Sequence, residues 1–394
     1  MVVGLIGIGV GHPAPDDTSK AVSASPSSLV AMADLPTLSE LTTLRLGGPA
    51  ERLVDARAEE DIVAAVREAD ASGEPLLVLA GGSNVVVADA GFPGPVLRIA
   101  TRGIVRSELA DGRVQLDVQA GENWDGLVAS CVLDGLAGVE ALSGIPGSVG
   151  ATPIQNVGAY GQEVSSVIVA VRAYDRVRGD TCVLAPEDCR FAYRSSMFKR
   201  DPQRWVILNA SYALRRRELS EPVRYAELAR RLEIELGACA PLAEVRAAVL
   251  ELRRGKGMVL DPDDADSVSA GSFFTNPVLS EDAFAELKRR AAARLGPDVA
   301  PPAWPQPDRA VKTSAAWLIE RADFARGYGN PDGIAISSKH TLALTNRGAG
   351  TARELVALAQ EIARGVRAAF GVELVPEPVF VGHRWEMPPA TVGP

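Results

Sequence analysis

Cysteine is scarce in this chain of 394 residues: Cys131, Cys182, Cys189 and Cys239 show no CxxC spacing and no neighbouring histidine. That excludes a zinc site and a redox dithiol, and reads as free thiols in a reducing compartment. Histidine is scarcer still. His12, His340 and His383 are too dispersed for an HExxH motif, and no GxSxG elbow surrounds a serine, so metallohydrolase and serine-hydrolase chemistry drop away and no metal is expected. No stretch approaches the ~18 uninterrupted apolar residues of a membrane helix. Excess positive charge is missing too: 41 basic against 50 acidic side chains give a net charge of −9, which removes any general attraction to nucleic acid or anionic lipid. No basic segment precedes the opening MVVGLIGIGVGH, unlike a secretory signal, so a cytoplasmic location is expected. What remains is a chain 47% hydrophobic with a mean hydropathy of +0.07. At roughly 100 to 200 residues per domain it has length for two or three.

Residues 12–40, rich in Ser, Ala, Pro and Asp, read as a mobile leader, so the packed protein is expected to begin near Leu41. From there AEEDIVAAVREADASG (58–73) predicts a helix, and LLVLA, VVVA, PVLRIA and RVQLDVQA predict strands. NWDGLVASCVLDG predicts a helix stopped by Gly135. Residues 143–169 carry glycine too often for a regular element and read as a long loop close to a ligand. RWVILNASYAL (204–214) predicts a strand. Beyond it RRREL changes the composition, and YAELARRL and PLAEVRAAVLELRR predict helices, which places a domain boundary there. TARELVALAQEIARGVRAAFG (351–371) is the clearest helix, opened by a Thr351/Glu354 capping box with Leu355, Leu358, Ile362 and Val366 on one face; ELVPEPVFVG returns as a strand.

Several motifs carry chemistry. Gly81, Gly82, Ser83 and Asn84 sit between two expected strands, where paired glycines let backbone N–H groups converge on an anion such as a diphosphate; a hairpin turn accounts for the same four residues. A Rossmann or Walker loop would open a helix, and neither occurs here; glycines 4, 7, 9 and 11 are followed by prolines instead. The glycine-rich segment ends in Gln155, Asn156 and Tyr160, suited to hydrogen-bond and stack on a flat heteroaromatic ring. Arg194 lies between aromatic and apolar positions, where its planar fork can hold a carboxylate or simply form a surface ion pair. Ser272, between Gly271 and two phenylalanines, is a proton-donor candidate or a satisfied turn serine. Glu377, between two prolines in an apolar strand, needs a partner or a raised pKa, as an acid, a base or a strand-edge carboxylate.

Taken together, TTLRLGGPA, LAGGSNVVV, LSGIPGSVGATPIQNVGAYG, YRSSMFK, AGSFFTNP and EPVF, in that order between Leu41 and Gly382, resemble the UDP-N-acetylenolpyruvoylglucosamine reductase family. The resemblance implies an α+β protein with an FAD-binding domain of the vanillyl-alcohol-oxidase (PCMH) type over 41–215 and a smaller α+β substrate-binding domain over 216–382, followed by a tail, 383–394. FAD would be noncovalent, since no histidine lies between Leu41 and Leu214 to tether it. By the resemblance, Gly81, Gly82, Ser83 and Asn84 would cradle the FAD diphosphate, and Ser143, Gly144, Ile145, Gly150, Ala151, Gln155, Asn156, Gly158 and Tyr160 would pack along its ring. NADPH would reduce the flavin, then leave the same pocket to the enolpyruvyl sugar nucleotide. Arg194 and Glu377 would stabilise the enolic intermediate, and Ser272 would protonate its carbon. Tyr225, Lys256, Asn276 and His340 would line the substrate side. Ala80 and Thr275 depart from the common pattern, where many relatives have glycine and lysine. A monomer is expected. The alternatives are another flavin oxidoreductase of this fold acting on a sugar or polyol, and a flavin-free scaffold.

Overall fold

The computed structural model describes residues 36–386; the glycines near the N-terminus, most of the expected leader and the end of the expected tail lie outside the described residues. The packed chain begins earlier than Leu41, because Leu38 opens a short 3-10 helix and is fully buried. It also continues past Gly382: Trp385 stacks on Phe380 with ring centroids 5.7 Å apart.

Two sheets carry the N-terminal half. Ala50–Ala56, Phe92–Ile99 and Leu77–Leu79 form a parallel sheet with Phe92–Ile99 at its centre. The helix Glu59–Ser72 covers it, with Ile62 and Val66 fully buried and Gly73 closing the last turn in the left-handed conformation. The second sheet is antiparallel, in the order Asp180–Leu184, Ile168–Asp175, Trp205–Arg216, Arg113–Gln119, Ile104–Glu108. Arg113–Gln119 alternates as its sequence requires, Val114, Leu116 and Val118 pointing into the core. The helix Trp124–Leu133, capped by the Asn123 side chain, packs its Trp124, Val128 and Cys131 into the same core.

The C-terminal half gathers around the helix Ala352–Phe370. Thr351 Oγ1 accepts from the Glu354 N–H while Glu354 Oε2 accepts from the Thr351 N–H, the reciprocal capping box read from the sequence. Its buried face, Leu355, Ile362 and Val366, lies in one core with the antiparallel sheet Ser269–Ser272, Ala343–Asn346, Ile334–Ile336. Helices Glu281–Leu295 and Ala315–Arg321 belong to this half as well, where no helix was expected. Their sequences are rich in alanine and charge, and only Phe284, Leu287 and Ala291 of the first are buried, so the apolar stripe is thin.

The two halves interlock. Val379–Val381 pairs in parallel with Val85–Val87, and Leu44, Leu46 and Val86 lie in the C-terminal core. The Gly81–Asn84 segment is therefore no hairpin: the strand before it pairs with Phe92–Ile99 and the strand after it with the chain's C-terminal strand. The expected loop 143–169 also ends early, since Ile168 already begins a strand; the rest is built of 3-10 turns and one two-stranded ribbon, Gly158–Ala159 with Gln162–Glu163.

Candidate active site

The Gly81–Asn84 turn and the loop after Leu142 approach so closely that only glycine fits. A Cβ on Gly81 would stand 2.5 Å from the Gly147 Cα, and one on Gly82, whose φ is 55°, would stand 1.8 Å from the Leu41 carbonyl oxygen. This contact brings Ser83 and Asn84 to one wall of a cleft. The Asn84 amide donates to Gln155 Oε1 at 2.9 Å and to the Glu377 carbonyl at 3.3 Å, and the Asn84 carbonyl accepts from the Val379 N–H at 3.0 Å. One asparagine thus fastens the glycine-rich loop to the C-terminal strand.

Three sequence-distant groups face the cleft together: Arg194, Ser272 and Glu377. The Arg194 guanidinium donates to the Gly158 carbonyl at 2.8 Å and stands 3.5 Å from Glu377 Oε1, so the strand carboxylate has its partner. Ser272 Oγ lies 3.3 Å from His340 Nε2. Burial, reinforced by the Lys256 and Arg326 charges, lowers the His340 pKa to about 4, so the imidazole is neutral near pH 7 and shares the serine hydroxyl's hydrogen bond in either direction.

Ser83, Asn84, Ile145, Ala151, Gln155, Gly158, Arg194, Ser272 and Glu377 line the cleft. Gly82, Ser143, Gly144, Gly150 and Asn156 are buried next to that lining in sequence, while Gly81 is exposed at its edge. The Gly144 N–H donates to Asp125 Oδ1 at 2.6 Å, the Gly150 N–H to the Ala120 carbonyl at 2.8 Å, and Ser143 Oγ to the Glu140 carbonyl at 2.7 Å. Asn156 donates to Glu163 Oε2 at 2.8 Å. Tyr160, Tyr225 and Lys256 form a separate group: the two rings meet edge to face at 5.4 Å, and the Lys256 ammonium lies over Tyr160 at 5.7 Å while paired with Glu227 at 2.6 Å. Asn276 lies four residues after Ser272. Its Oδ1 accepts from the Ala315 N–H at 3.0 Å, at the start of the helix Ala315–Arg321.

Sequence reasoning missed Ser148, Lys199 and Arg253, all of which line the cleft. Ser148 Oγ is buried and finds no hydrogen-bond partner among the described residues, and Arg253 Nε is in the same state. Burial lowers the Arg253 pKa to about 10. Arg253 lies three residues before Lys256 in RRGKG, a spacing that marks it as a candidate; nothing local singles out Lys199.

This geometry fits a large, flat, anionic cofactor. A narrow turn with backbone approach, an unpaired buried hydroxyl on Ser148 and an unpaired guanidinium nitrogen on Arg253 are donors awaiting acceptors, beside an apolar wall of Trp124, Ile145, Ile154 and Val157. Residues 50–184 match the model of an FAD binding domain, and residues 262–381 that of the C-terminal domain of UDP-N-acetylenolpyruvoylglucosamine reductase. Fold and site therefore define an α+β flavoprotein oxidoreductase, with an FAD-binding domain of the PCMH type. The chain is 57% identical over 348 residues to the UDP-N-acetylenolpyruvoylglucosamine reductase of Salinispora arenicola, covering 87% of this chain and 94% of that one. It is 56% identical over 346 residues to the same enzyme of Thermobifida fusca, covering 88% and 96%. The crystal structure of the reductase from Thermus caldophilus shares the fold, with a TM-score of 0.57 at 24% identity over 88% of this chain and 98% of that one. The chain belongs to the UDP-N-acetylenolpyruvoylglucosamine reductase family.

Proposed function

We propose that this chain carries out the NADPH-dependent reduction of UDP-N-acetylglucosamine enolpyruvate to UDP-N-acetylmuramate, a step of peptidoglycan precursor synthesis, as a cytoplasmic monomer. The observation that carries the reading is the meeting of Arg194, Glu377 and Ser272 on one cleft lined from both matched domains. Ser83, Asn84 and Ser148, with the backbone of the Gly81–Gly147 contact, would hold the FAD diphosphate, and Ile145, Ala151, Gln155 and Gly158 would flank its ring. When bound, FAD supplies the hydride that reaches the terminal enolpyruvyl carbon.

The chain's own residues handle the charge and the proton. Addition at the terminal carbon leaves negative charge on the neighbouring carbon and its carboxylate. Arg194 faces that charge with a guanidinium already fixed by Gly158, and Glu377 stands beside its Nε. Ser272 Oγ delivers the proton to the carbon, and neutral His340 stands beside it to orient the hydroxyl. One hydride and one proton add across the double bond, and NADPH becomes NADP⁺. Lys256 and Tyr225, on the rim near Tyr160, would receive the sugar nucleotide.

The test is stopped-flow spectroscopy of the flavin. NADPH alone is expected to bleach it, and the enolpyruvyl sugar nucleotide to restore its colour. Bleaching with no recolouring by that substrate would overturn the reading.

A further inference from the structure

Arg194 occupies a left-handed backbone conformation, with φ of 51°. For a residue with a Cβ that conformation is strained, and it persists only if neighbours fix it; on one side the turn is closed by two backbone hydrogen bonds between Ala192 and Ser195. It also directs the guanidinium toward Gly158 and Glu377. The neighbour on the other side of the peptide is Lys199, whose Nζ donates to the Arg194 carbonyl at 3.2 Å. Lys199 lines the cleft, and no carboxylate among the described residues forms an ion pair with it. Burial lowers its pKa; the charge of Glu377 opposes that shift and the charge of Arg194 adds to it, so the ammonium lies within the field of both.

The element that carries Lys199 is fixed independently. It belongs to the one-turn helix Met197–Arg200, and Ser196 Oγ both accepts from the Lys199 N–H at 3.3 Å and donates to the Ile154 carbonyl. Ile154 belongs to the glycine-rich loop that lines the cleft. A cation in this position is held at both ends: its backbone by Ser196, its ammonium by the Arg194 carbonyl. Lys199 is half-buried, and its one hydrogen-bond acceptor for the ammonium among the described residues is that carbonyl.

We propose that Lys199 is the positioning residue for Arg194, its ammonium fastening the left-handed peptide that turns the guanidinium onto Glu377. The proposal rests on the reading of Arg194 as the group that meets the developing enolic charge. It assigns Lys199 an effect exerted through Arg194, without contact with substrate.

The test is a double-mutant cycle in the full-length, FAD-loaded chain, comparing Lys199→Met, Arg194→Ala and the double variant by stopped-flow in the two half-reactions. Lys199→Met is expected to slow flavin reoxidation by the enolpyruvyl substrate about 10- to 100-fold, the cost of a misplaced group, and to change flavin reduction by NADPH less than about twofold. On the Arg194→Ala background the same substitution is expected to have little further effect, because the group it positions is gone. A crystal structure of Lys199→Met is expected to show the guanidinium moved away from Glu377. Should the methionine variant retain less flavin than the parent, Lys199→Leu, which also removes the donor, takes its place in the cycle. Equal losses in both half-reactions, or a full loss on the Arg194→Ala background, would overturn the positioning role alone. An Arg194→Ala variant that reoxidises at the parent rate would instead remove the reading of Arg194, and the proposal with it.

Discussion

The Glu377 N–H donates to the Phe273 carbonyl at 2.8 Å, so the residue after Ser272 anchors the carboxylate that faces Arg194. Two groups 105 residues apart (377 minus 272) are thereby fixed in register by a backbone hydrogen bond. That rigidity separates their roles experimentally, because removing one side chain leaves the backbone of the other in place.

Ser272→Ala removes the hydroxyl and little else. Flavin reduction by NADPH is expected to proceed as in the parent, while reoxidation by the enolpyruvyl substrate slows on the order of 10² to 10⁴, the usual contribution of a general acid. Single-turnover measurement of the two half-reactions checks this. Equal slowing in both would return Ser272 to an ordinary turn serine.

Arg194→Lys keeps the charge and loses the planar fork that reaches both Gly158 and Glu377. Reoxidation is expected to fall about 10², comparable to the loss of one preorganised donor. An unchanged rate would show that the arginine serves only as an ion-pair partner.

Gly81→Ala places a methyl 2.5 Å from the Gly147 Cα, a backbone atom that cannot swing aside. We expect a destabilisation of about 1–3 kcal/mol, the cost of overpacking, together with weaker FAD retention as the two loops separate. Thermal unfolding and flavin content after gel filtration measure both; a variant with the parent's stability and flavin content contradicts the close approach.

His340 supplies a pH dependence whose sign is fixed. Its folded-state pKa, about 4, lies below the ordinary 6.5, chiefly through burial. Between those values the unfolded chain binds a proton that the folded chain refuses, so this group makes stability fall as pH drops from about 6.5 to about 4 and adds no dependence above 6.5. His340→Gln is expected to flatten that part of the profile in denaturant titrations across pH. An unaltered slope would mean that His340 protonates alike in both states.

How much of this was legible follows from which signals are local. The helix Ala352–Phe370 announced itself because its cap, its apolar stripe and its glycine stop lie within one segment. The Arg113–Gln119 strand was readable for the same reason. The partner of Val85–Val87 was not, since it lies almost 300 residues further on and nothing in VVV names it. The same distance hid that Gly81–Asn84 is no hairpin, since the strands flanking it pair with different partners. Ser272, Arg194 and Glu377 were found through family motifs, each being ambiguous in its own segment. Lys199 and Ser148 escaped because a cation or hydroxyl buried by tertiary packing looks, in sequence, like one in water. Asn276 carries a task that its own segment does not announce: its Oδ1 serves the start of a helix.

The parallel pairing of Val379–Val381 with Val85–Val87 has a consequence for biosynthesis. A translation product that stops short of Glu377 has Gly81–Asn84 but lacks the strand that borders Asn84. Its Val85–Val87 segment keeps an open edge, a template on which strands of other molecules can add.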